Sequence, residues 1–338
     1  MTDTQTLQKT IDDLVQTGKG ILAADESLPT ITKRFKAIGV ESTEETRRAW
    51  RELLLGTPGL GEYISGVILF EETLDQTDAS GTPLPRLAEV QGIVPGIKVD
   101  RGKIPLPGAP GDMITQGLDF LAERLEGYRE KGARFAKWRE VYPISGHNPT
   151  PLGIEANAEV LARYASICQA RGFVPIVEPE VLIDGDHSIE RAFEVIQAVQ
   201  HAVYHALHRH GVILEYTLLK PSMVTPGKQH PNRATPEEVA EYTVRALRRT
   251  VPAAVPSVNF LSGGQTPEEA TANLNAMNAL FPGQPWELSF SYARALQQPA
   301  MAAWGGRPEN VEAARHALLK RARLNGAARR GEYRPDME

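Results

Sequence analysis

The chain has 338 residues, a formal net charge of −5 and a single cysteine, Cys168. This mildly acidic balance argues against a nucleic-acid surface, which needs a strongly basic footprint, and one cysteine excludes an internal disulfide and a cage of thiolate metal ligands. The first residues do not resemble a signal or transit peptide, and no apolar run approaches the roughly 18 residues of a membrane span. We therefore expect a globular protein of the cytoplasm, without a membrane or nucleic-acid partner.

Short apolar runs recur along the chain at intervals of about 30 to 45 residues, the length of a strand, a helix and two loops. Such near-continuous apolarity is typical of parallel strands that are covered on both faces. The runs predict strands at 20–24, 64–70, 96–99, 133–138, 173–177, 212–219, 257–261 and 287–292.

Helical patterns lie between these runs. Three of them open with the Ser/Thr-x-x-Glu spacing of a capping box, beginning at Ser42, Thr235 and Thr266, and the last two continue with a proline that suits the first helical turn. The patterns predict helices at 41–55, 156–170, 188–209, 235–249, 266–280 and 308–324.

The alternation of strands and helices favours a single-domain α/β protein with a (β/α)8 TIM barrel fold over an open doubly wound sheet. No GxGxxG follows any strand, which argues against a dinucleotide site. We expect the barrel to occupy residues 1–324, the stretch 101–112 to form a loop, and residues 325–338 to form a loosely attached polar C-terminal tail.

Ionisable residues recur where the predicted strands end, which is where barrel enzymes place their functional side chains. Period-two alternation puts Lys137 with Arg139, and Glu178 with Glu180, on one face of their strands. A solvated loop position explains any one of these charges equally well. Their recurrence on several strands nevertheless predicts a site at one mouth of the barrel, formed by Asp25, Lys98, Lys137, Arg139, Glu178 and Lys220.

Lys220 ends the apolar run 212–219. A poorly hydrated lysine beside a second ammonium loses its proton more readily, and the free amine can attack a carbonyl to form an imine. Lys137 is the candidate for the second charge and Glu178 for a proton shuttle, while Asp25 could accept a proton from a substrate hydroxyl. The combination predicts imine-forming chemistry.

A phosphate site is indicated after the last two strands. The segment Ser262-Gly263-Gly264 lets backbone N–H groups come close to an anion, and a helix begins just beyond it. Arg294 could add a charge-assisted contact. Such a loop is ordinary when taken alone, but barrel enzymes commonly bind phosphate at this position.

His201, His205 and His208 share a helical face, with His210 beyond them, and this spacing could hold Zn²⁺. The general base expected beside such a pair is missing, so a solvated helix face is the better interpretation. Cys168 lies on an apolar helix face and is better explained as a small core residue than as a nucleophile. We therefore expect no metal and no cofactor.

Ordered sequence blocks between about Lys19 and Leu324 resemble class I fructose-bisphosphate aldolase, among them KGILAADES, FAKWR, VPIVEPE, LLKP-x-MVTPG, FLSGGQ and LSFSY-x-RAL. The resemblance implies a metal-independent lyase of glycolysis and gluconeogenesis. Such an enzyme reversibly cleaves fructose 1,6-bisphosphate to dihydroxyacetone phosphate and glyceraldehyde 3-phosphate, and it assembles as a homotetramer. The alternative is a sugar-phosphate-binding barrel of altered specificity or without catalysis.

The resemblance also implies roles for particular residues. Lys220 matches the Schiff-base lysine, and Glu178 the general acid/base of imine formation, with Glu180 in support. Asp25 matches the residue at the hydroxyl next to the cleaved bond, and Lys137 its charged partner. The family positions that bind the phosphate of the ketone half are matched here by Ser262, Gly263, Gly264, Ser291 and Arg294. Those near the second phosphate or the sugar hydroxyls are matched by Ser27, Thr30, Lys98 and Arg139.

Three features depart from the family pattern. Ala293 stands where the family has glycine, which would matter if the position required a positive φ. Residues 28–30 read Leu-Pro-Thr in place of a Gly-Ser turn, so this segment is expected to be stiffer. The sequence ends at Glu338 without the longer tyrosine-ending tail of animal relatives, so proton transfer at the ketone half is expected to fall to another group or to water.

Overall fold

The computed structural model describes residues 4–338, in which eight parallel strands close into a barrel. The strands in chain order are β1 (Gly20–Ala24), β2 (Ile64–Leu69), β3 (Val94–Lys98), β4 (Lys103–Pro105), β5 (Met113–Thr115), β6 (Phe135–Tyr142), β7 (Val174–Val181), β8 (Leu218–Leu219), β9 (Ser257–Phe260) and β10 (Glu287–Tyr292). The order around the barrel is β1-β10-β9-β8-β7-β6-β3-β2, while β4 and β5 form a separate antiparallel pair. The predicted (β/α)8 barrel is confirmed.

Helices cover the outside of the barrel between its strands. They are α1 (Thr4–Leu14), α2 (Leu28–Ala37), α3 (Glu44–Leu55), α4 (Glu71–Leu74), α5 (Leu84–Glu89), α6 (Leu121–Glu130), α7 (Pro151–Ala170), α8 (Ile189–Arg209), α9 (Pro236–Thr250), α10 (Pro267–Leu280), α11 (Arg294–Trp304) and α12 (Val311–Arg329). Every predicted helix is present, and the helices that the sequence analysis did not identify include α1, α2, α6 and α11. None of the helices among residues 4–338 combines the length and the hydropathy that a membrane span requires.

Two of the three predicted capping boxes, at Thr235 and Thr266, are present. In each, the threonine hydroxyl accepts from the N–H three residues later, and the glutamate there accepts from the N–H of the threonine. The box predicted at Ser42 is wrong. Helix α3 is capped one residue later by Thr43, and Thr46 closes the reciprocal pair.

The prediction of a strand over 212–219 is largely wrong, because only β8 pairs as a strand and residues 214–216 form one turn of 3-10 helix. The side chain of Gln169 on α7 explains the difference. Its amide donates to the carbonyls of Ile213 (2.8 Å) and Tyr216 (3.2 Å), and its oxygen accepts from the N–H of Ile213 at 2.9 Å. These contacts satisfy backbone groups that a longer strand would pair with its neighbours.

Two other segments differ from their predictions. Strands β6 and β7 extend four residues beyond the predicted ends, so Glu178 and Glu180 lie within β7. The expected loop at 101–112 contains β4, which pairs with β5 to form a short hairpin beside the barrel mouth.

Helix α1 closes the end of the barrel where the strands begin. Leu7, Ile11 and Leu14 pack in one buried cluster with the inward-facing strand residues Ile21, Ala23, Ile68, Val94, Phe135, Val174, Ile176 and Leu218. Ser65 donates to the carbonyl of Leu14 at 2.6 Å and so ties the helix end to β2. The inside of the barrel therefore has an apolar floor.

The C-terminal segment is firmly packed, so the expectation of loose attachment for residues 325–338 is wrong. Helix α12 continues to Arg329, and Asn325 within it is buried and accepts from Thr271 at 2.8 Å. Tyr333 is also buried, donates its N–H to Asn275 at 2.9 Å and donates its hydroxyl to Glu338 at 3.1 Å.

Glu140 is a fully buried carboxyl on β6, on the face opposite to that of Lys137 and Arg139. One of its oxygens accepts from Nε1 of Trp138 at 2.7 Å, and the other has no hydrogen-bond partner among the described residues. Burial raises the pKa of Glu140 to about 8, against the smaller opposing effects of Trp138 and Thr115. The folded protein therefore favours the neutral acid near neutral pH.

We predict that Glu140→Gln stabilises the protein at alkaline pH. Because the folded pKa lies above the ordinary value of 4.5, the stability that the neutral acid provides is complete below that value and is lost as the pH rises towards the folded pKa. The free energy of unfolding of the wild type should fall relative to the variant by at most about 1.4 kcal/mol per pH unit across this window. Urea denaturation of both proteins at several pH values measures the difference, and parallel curves would contradict the prediction.

Candidate active site

Four buried charged side chains form a continuous chain of ionic contacts where the strands end. Nζ of Lys137 lies 2.7 Å from Oδ2 of Asp25 and 3.0 Å from Oε2 of Glu178. The other oxygen of Glu178 lies 3.1 Å from Nζ of Lys220. The sequence placed these four residues at one mouth, and the structure brings them into direct contact.

The fold positions these side chains through strand alternation. Residues two apart on a strand face the same side, and each of the four charges follows by two positions an apolar residue of the barrel floor. Those floor residues are Ala23, Phe135, Ile176 and Leu218, respectively. The charges therefore form the layer directly above the apolar cluster, where water has little access.

The electrostatics of this layer keep its carboxylates and Lys137 charged. Burial alone would raise the pKa of Asp25, but the charges of Lys137 and Lys220 outweigh it and hold the pKa well below its usual range. The pKa of Glu178 is lowered in the same way, against the effect of burial, by Lys137, Lys220 and Arg139. Burial would lower the pKa of Lys137, but Asp25 and Glu178 raise it. The site at rest therefore contains two carboxylates and a permanent cation.

Two further predicted residues lie in the same mouth, each held by a carboxylate. Nζ of Lys98 donates to the side chain and to the carbonyl of Asp100, both at 2.6 Å, and Lys98 is the register partner of Lys137. Nε of Arg139 lies 2.5 Å from Glu180. A ligand anion that binds these cations must share them with the protein's own carboxylates.

Ser27 and Thr30 lie together at the start of α2, with their hydroxyl oxygens 3.2 Å apart. Pro29 occupies the first turn of this helix, where the missing N–H costs no hydrogen bond. The Leu-Pro-Thr segment is therefore a helix start.

The predicted phosphate loop follows β9. Gly263 (φ 50°) and Gly264 (φ 91°) both have left-handed backbones, which favour glycine. Ser291, near the end of β10, is buried, and its hydroxyl has no hydrogen-bond partner among the described residues. Arg294 begins α11 nearby and is exposed. The residues that resemble a phosphate site thus lie at or just after the ends of the last two strands of the barrel.

Ala293 does not adopt the left-handed backbone that would call for glycine. Its φ is −99°, so the position does not require the positive φ for which the glycine of the family pattern would be needed.

Sequence reasoning missed the buried network that supports Asp25 from behind. Glu26 is ion-paired with Arg34 on α2 and with Arg51 on α3, the latter at 2.6 Å. Gln297 on α11 donates to Glu26 at 2.7 Å and to the carbonyl of Ala23 at 2.6 Å. The adjacent acids in the segment DES were the available signal, since two neighbouring acids on a strand point in opposite directions and only one can enter the barrel.

The signals set aside in the sequence behave as simple structural features. His201, His205 and His208 are exposed on α8, and His210 lies 2.7 Å from Glu159. Within residues 4–338, no group of three or more His, Cys, Asp or Glu side chains is arranged to hold a metal ion. Cys168 is fully buried, which agrees with its interpretation as a core residue.

Comparison with known proteins points to one family. A family model described as fructose-bisphosphate aldolase class-I matches residues 6–338. The chain is 57% identical to cytosolic fructose-bisphosphate aldolase 4 of Arabidopsis thaliana over 95% of this chain and 82% of that protein, and 54% identical to fructose-bisphosphate aldolase B of Gallus gallus over 96% and 91%. The solved Plasmodium falciparum fructose-bisphosphate aldolase, in complex with TRAP and an inhibitor, superimposes with a TM-score of 0.96 at 53% identity, covering 98% of this chain and 95% of that one.

We predict that Lys137→Met strongly destabilises the protein. The substitution leaves Asp25 and Glu178 buried without their shared cation, which should cost about 3 kcal/mol or more in the free energy of unfolding. Lys131→Met is the matched control, because Lys131 forms an exposed pair with Asp75 at 2.5 Å and should cost less than about 1 kcal/mol. Denaturant unfolding measures the free energy of unfolding of both variants. Equal losses would show that the buried ion pairs of Lys137 stabilise the protein no more than the exposed pair of Lys131 does.

Proposed function

The chain belongs to the class I fructose-bisphosphate aldolase family, and from this premise we propose that it acts through a Schiff base on Lys220. The protein is a carbon–carbon lyase that reversibly cleaves fructose 1,6-bisphosphate to dihydroxyacetone phosphate and glyceraldehyde 3-phosphate. The observation that carries the assignment of residues is the buried ionic chain from Asp25 through Lys137 and Glu178 to Lys220.

In the first step, Nζ of Lys220 attacks the C2 carbonyl carbon of the open-chain substrate. The attacking amine must be neutral, and the carboxylate of Glu178, 3.1 Å from Nζ, is placed to take its proton. The protonated Glu178 then returns a proton to the carbinolamine oxygen, which leaves as water. The product is a protonated imine, whose positive nitrogen can accept an electron pair.

In the second step, Asp25 takes the proton of the C4 hydroxyl. The electrons of that O–H bond form the aldehyde carbonyl, the C3–C4 bond breaks, and its electron pair moves to the imine to give an enamine. The low pKa of Asp25 keeps it ionised for this task, and Lys137, 2.7 Å away, stabilises its charge. Protonation at C3 and hydrolysis of the imine release dihydroxyacetone phosphate and restore Lys220. Glu180 supports Glu178 by holding Arg139 beside it.

The two phosphates are assigned to the two sides of the mouth. The phosphate of the ketone half is bound by the loop after β9 and the start of α11, through Ser262, Gly263, Gly264, Ser291 and Arg294. The second phosphate and the sugar hydroxyls are bound by Ser27, Thr30, Lys98 and Arg139. The negative φ of Ala293 removes one reason for considering a barrel that binds sugar phosphates without cleaving them.

The cytoplasmic localisation expected from the sequence agrees with the names of several relatives. Those from Arabidopsis thaliana, Spinacia oleracea and Pisum sativum are named cytosolic or cytoplasmic aldolases.

We predict that Lys220→Ala abolishes both cleavage of fructose 1,6-bisphosphate and covalent trapping of dihydroxyacetone phosphate by borohydride. Only the free amine of Lys220 forms the imine that borohydride reduces to a stable secondary amine. Mass spectrometry of the treated wild type should show one added ketone half on the peptide that contains Lys220.

Lys131→Ala is the control for this experiment, because it removes an exposed lysine that is not part of the buried ionic chain and should trap normally. Covalent trapping by Lys220→Ala would identify a different nucleophile, with Lys137 the next candidate. Loss of wild-type activity in EDTA would contradict a metal-independent Schiff-base mechanism.

We also propose that the protein assembles as a homotetramer, as the family resemblance implies. The outer surface offers a groove of about 730 Å³ between α7, α8 and α9 that is suited to a second copy. Its lining combines small side chains, which allow close approach, with side chains of both charges. They include Ala158, Ala198, Ala202, Glu155, Arg209 and Arg249.

We predict that Ala202→Glu lowers the assembly state. A long, charged side chain at this position of the groove blocks the close approach that the small alanine allows and would have to be desolvated at the contact. Light scattering coupled to size exclusion should show a wild-type mass of four chains and a smaller mass for the variant. Ala79→Glu, on an exposed loop, should leave the mass unchanged, and a monomeric wild type would contradict the proposal.

A further inference from the structure

We propose that Lys228 is an additional phosphate-binding residue, which contacts the phosphate of the ketone half together with Arg294 across the loop at Gly264. This inference rests on the proposed function of the site and extends it to a residue that neither the sequence motifs nor the ionic chain identified. The ligand chemistry is a phosphate monoester on the three-carbon ketone.

The position of Lys228 over the phosphate loop is the first observation. A methyl group placed on Gly264 would lie 2.7 Å from Nζ of Lys228 and 3.3 Å from Nη2 of Arg294. The two cations therefore approach the same glycine, whose backbone is left-handed. An anion bound at this glycine would be within reach of both side chains.

The backbone that carries Lys228 is held in place by its neighbours. The N–H of Lys228 donates to the carbonyl of Ile183 and the N–H of Gly227 donates to the carbonyl of His187, both at 2.8 Å. The side chain of Gln229 accepts from the N–H of Gly185 at 2.6 Å. Lys228 thus extends towards the mouth from a segment braced against the loop after β7.

The charge balance around this loop is the second observation. Among residues 4–338, Arg294 makes no ion pair, and the one ionic contact of Lys228 is with Asp184 at 3.7 Å, whose side chain is 70% exposed. Although Arg294 is exposed overall, partial burial of its guanidinium, followed by the charge of Arg34, lowers its pKa. Glu180 and Asp184 oppose this lowering of the pKa only in part. Because little negative charge lies near Lys228 and Arg294, the two cations create a positive potential at this loop. A doubly charged phosphate would neutralise it.

The competing explanation is that Lys228 serves only as a surface partner of Asp184. At 3.7 Å and with both groups solvated, such a pair contributes little. The two explanations predict different results for Asp184→Asn. Loss of a mere surface pair leaves catalysis unaffected, whereas removal of the one competing carboxylate strengthens the hold of Lys228 on phosphate.

The test measures the condensation direction, in which each half carries its own phosphate. Lys228→Gln should raise the KM for dihydroxyacetone phosphate by roughly ten-fold, leaving the KM for glyceraldehyde 3-phosphate and kcat within about two-fold. Lys228→Arg keeps the charge and should recover most of the loss. Asp184→Asn should lower the KM for dihydroxyacetone phosphate at the same ionic strength.

Two outcomes would overturn the inference: an unchanged KM for dihydroxyacetone phosphate in Lys228→Gln, or an increase confined to glyceraldehyde 3-phosphate. The failure of the proposed function is separately visible, because it appears as a wild type that traps no ketone with borohydride. In that event the dissociation constant of dihydroxyacetone phosphate, measured by calorimetry for the wild type and Lys228→Gln, still decides the role of Lys228.

Discussion

The four buried charges at the barrel mouth can coexist only because each touches a group of opposite sign. An isolated charge in this layer would cost several kcal/mol, and the sequence of contacts from Asp25 through Lys137 and Glu178 to Lys220 leaves none isolated. The contacts join four different strands, so each strand end is positioned by the others. A slip of one residue in any of them would turn its charge outwards and leave its partner unpaired.

The groups below and behind the charged layer also hold it in place and keep it poorly hydrated. Below, the apolar cluster closed by α1 keeps water from the underside of the lysines. Behind Asp25, Glu26 contacts Arg34, Arg51 and Gln297, which lie on three different helices. These contacts fix the strand end from which Asp25 projects. A lysine in such a setting is poorly hydrated but has a carboxylate ready to exchange protons, and these are the two conditions for an amine nucleophile.

The sequence predicted best those features that depend on neighbouring residues within one strand. Alternation and the position of strand ends predicted the barrel and the gathering of charges, because both depend on nearest neighbours along the chain. It was least informative where a distant side chain decides the backbone, as Gln169 does for residues 213–216. The closure of the barrel by α1 and the position of Lys228 over Gly264 likewise depend on which distant segments pack together. Residue spacing in the sequence does not predict such contacts.

Because helix α1 closes one end of the barrel, the interior can be reached only from the mouth at the other end. Whatever enters past the phosphate loops must leave by the same route, so the two halves of a cleaved sugar cannot depart by opposite ends. Under the proposed chemistry, the ketone half remains tethered to Lys220 while the aldehyde half is free. The order of departure is therefore set by covalent attachment, and the outgoing aldehyde obstructs the opening until it has gone. In reverse, the ketone must be seated before the aldehyde can be used.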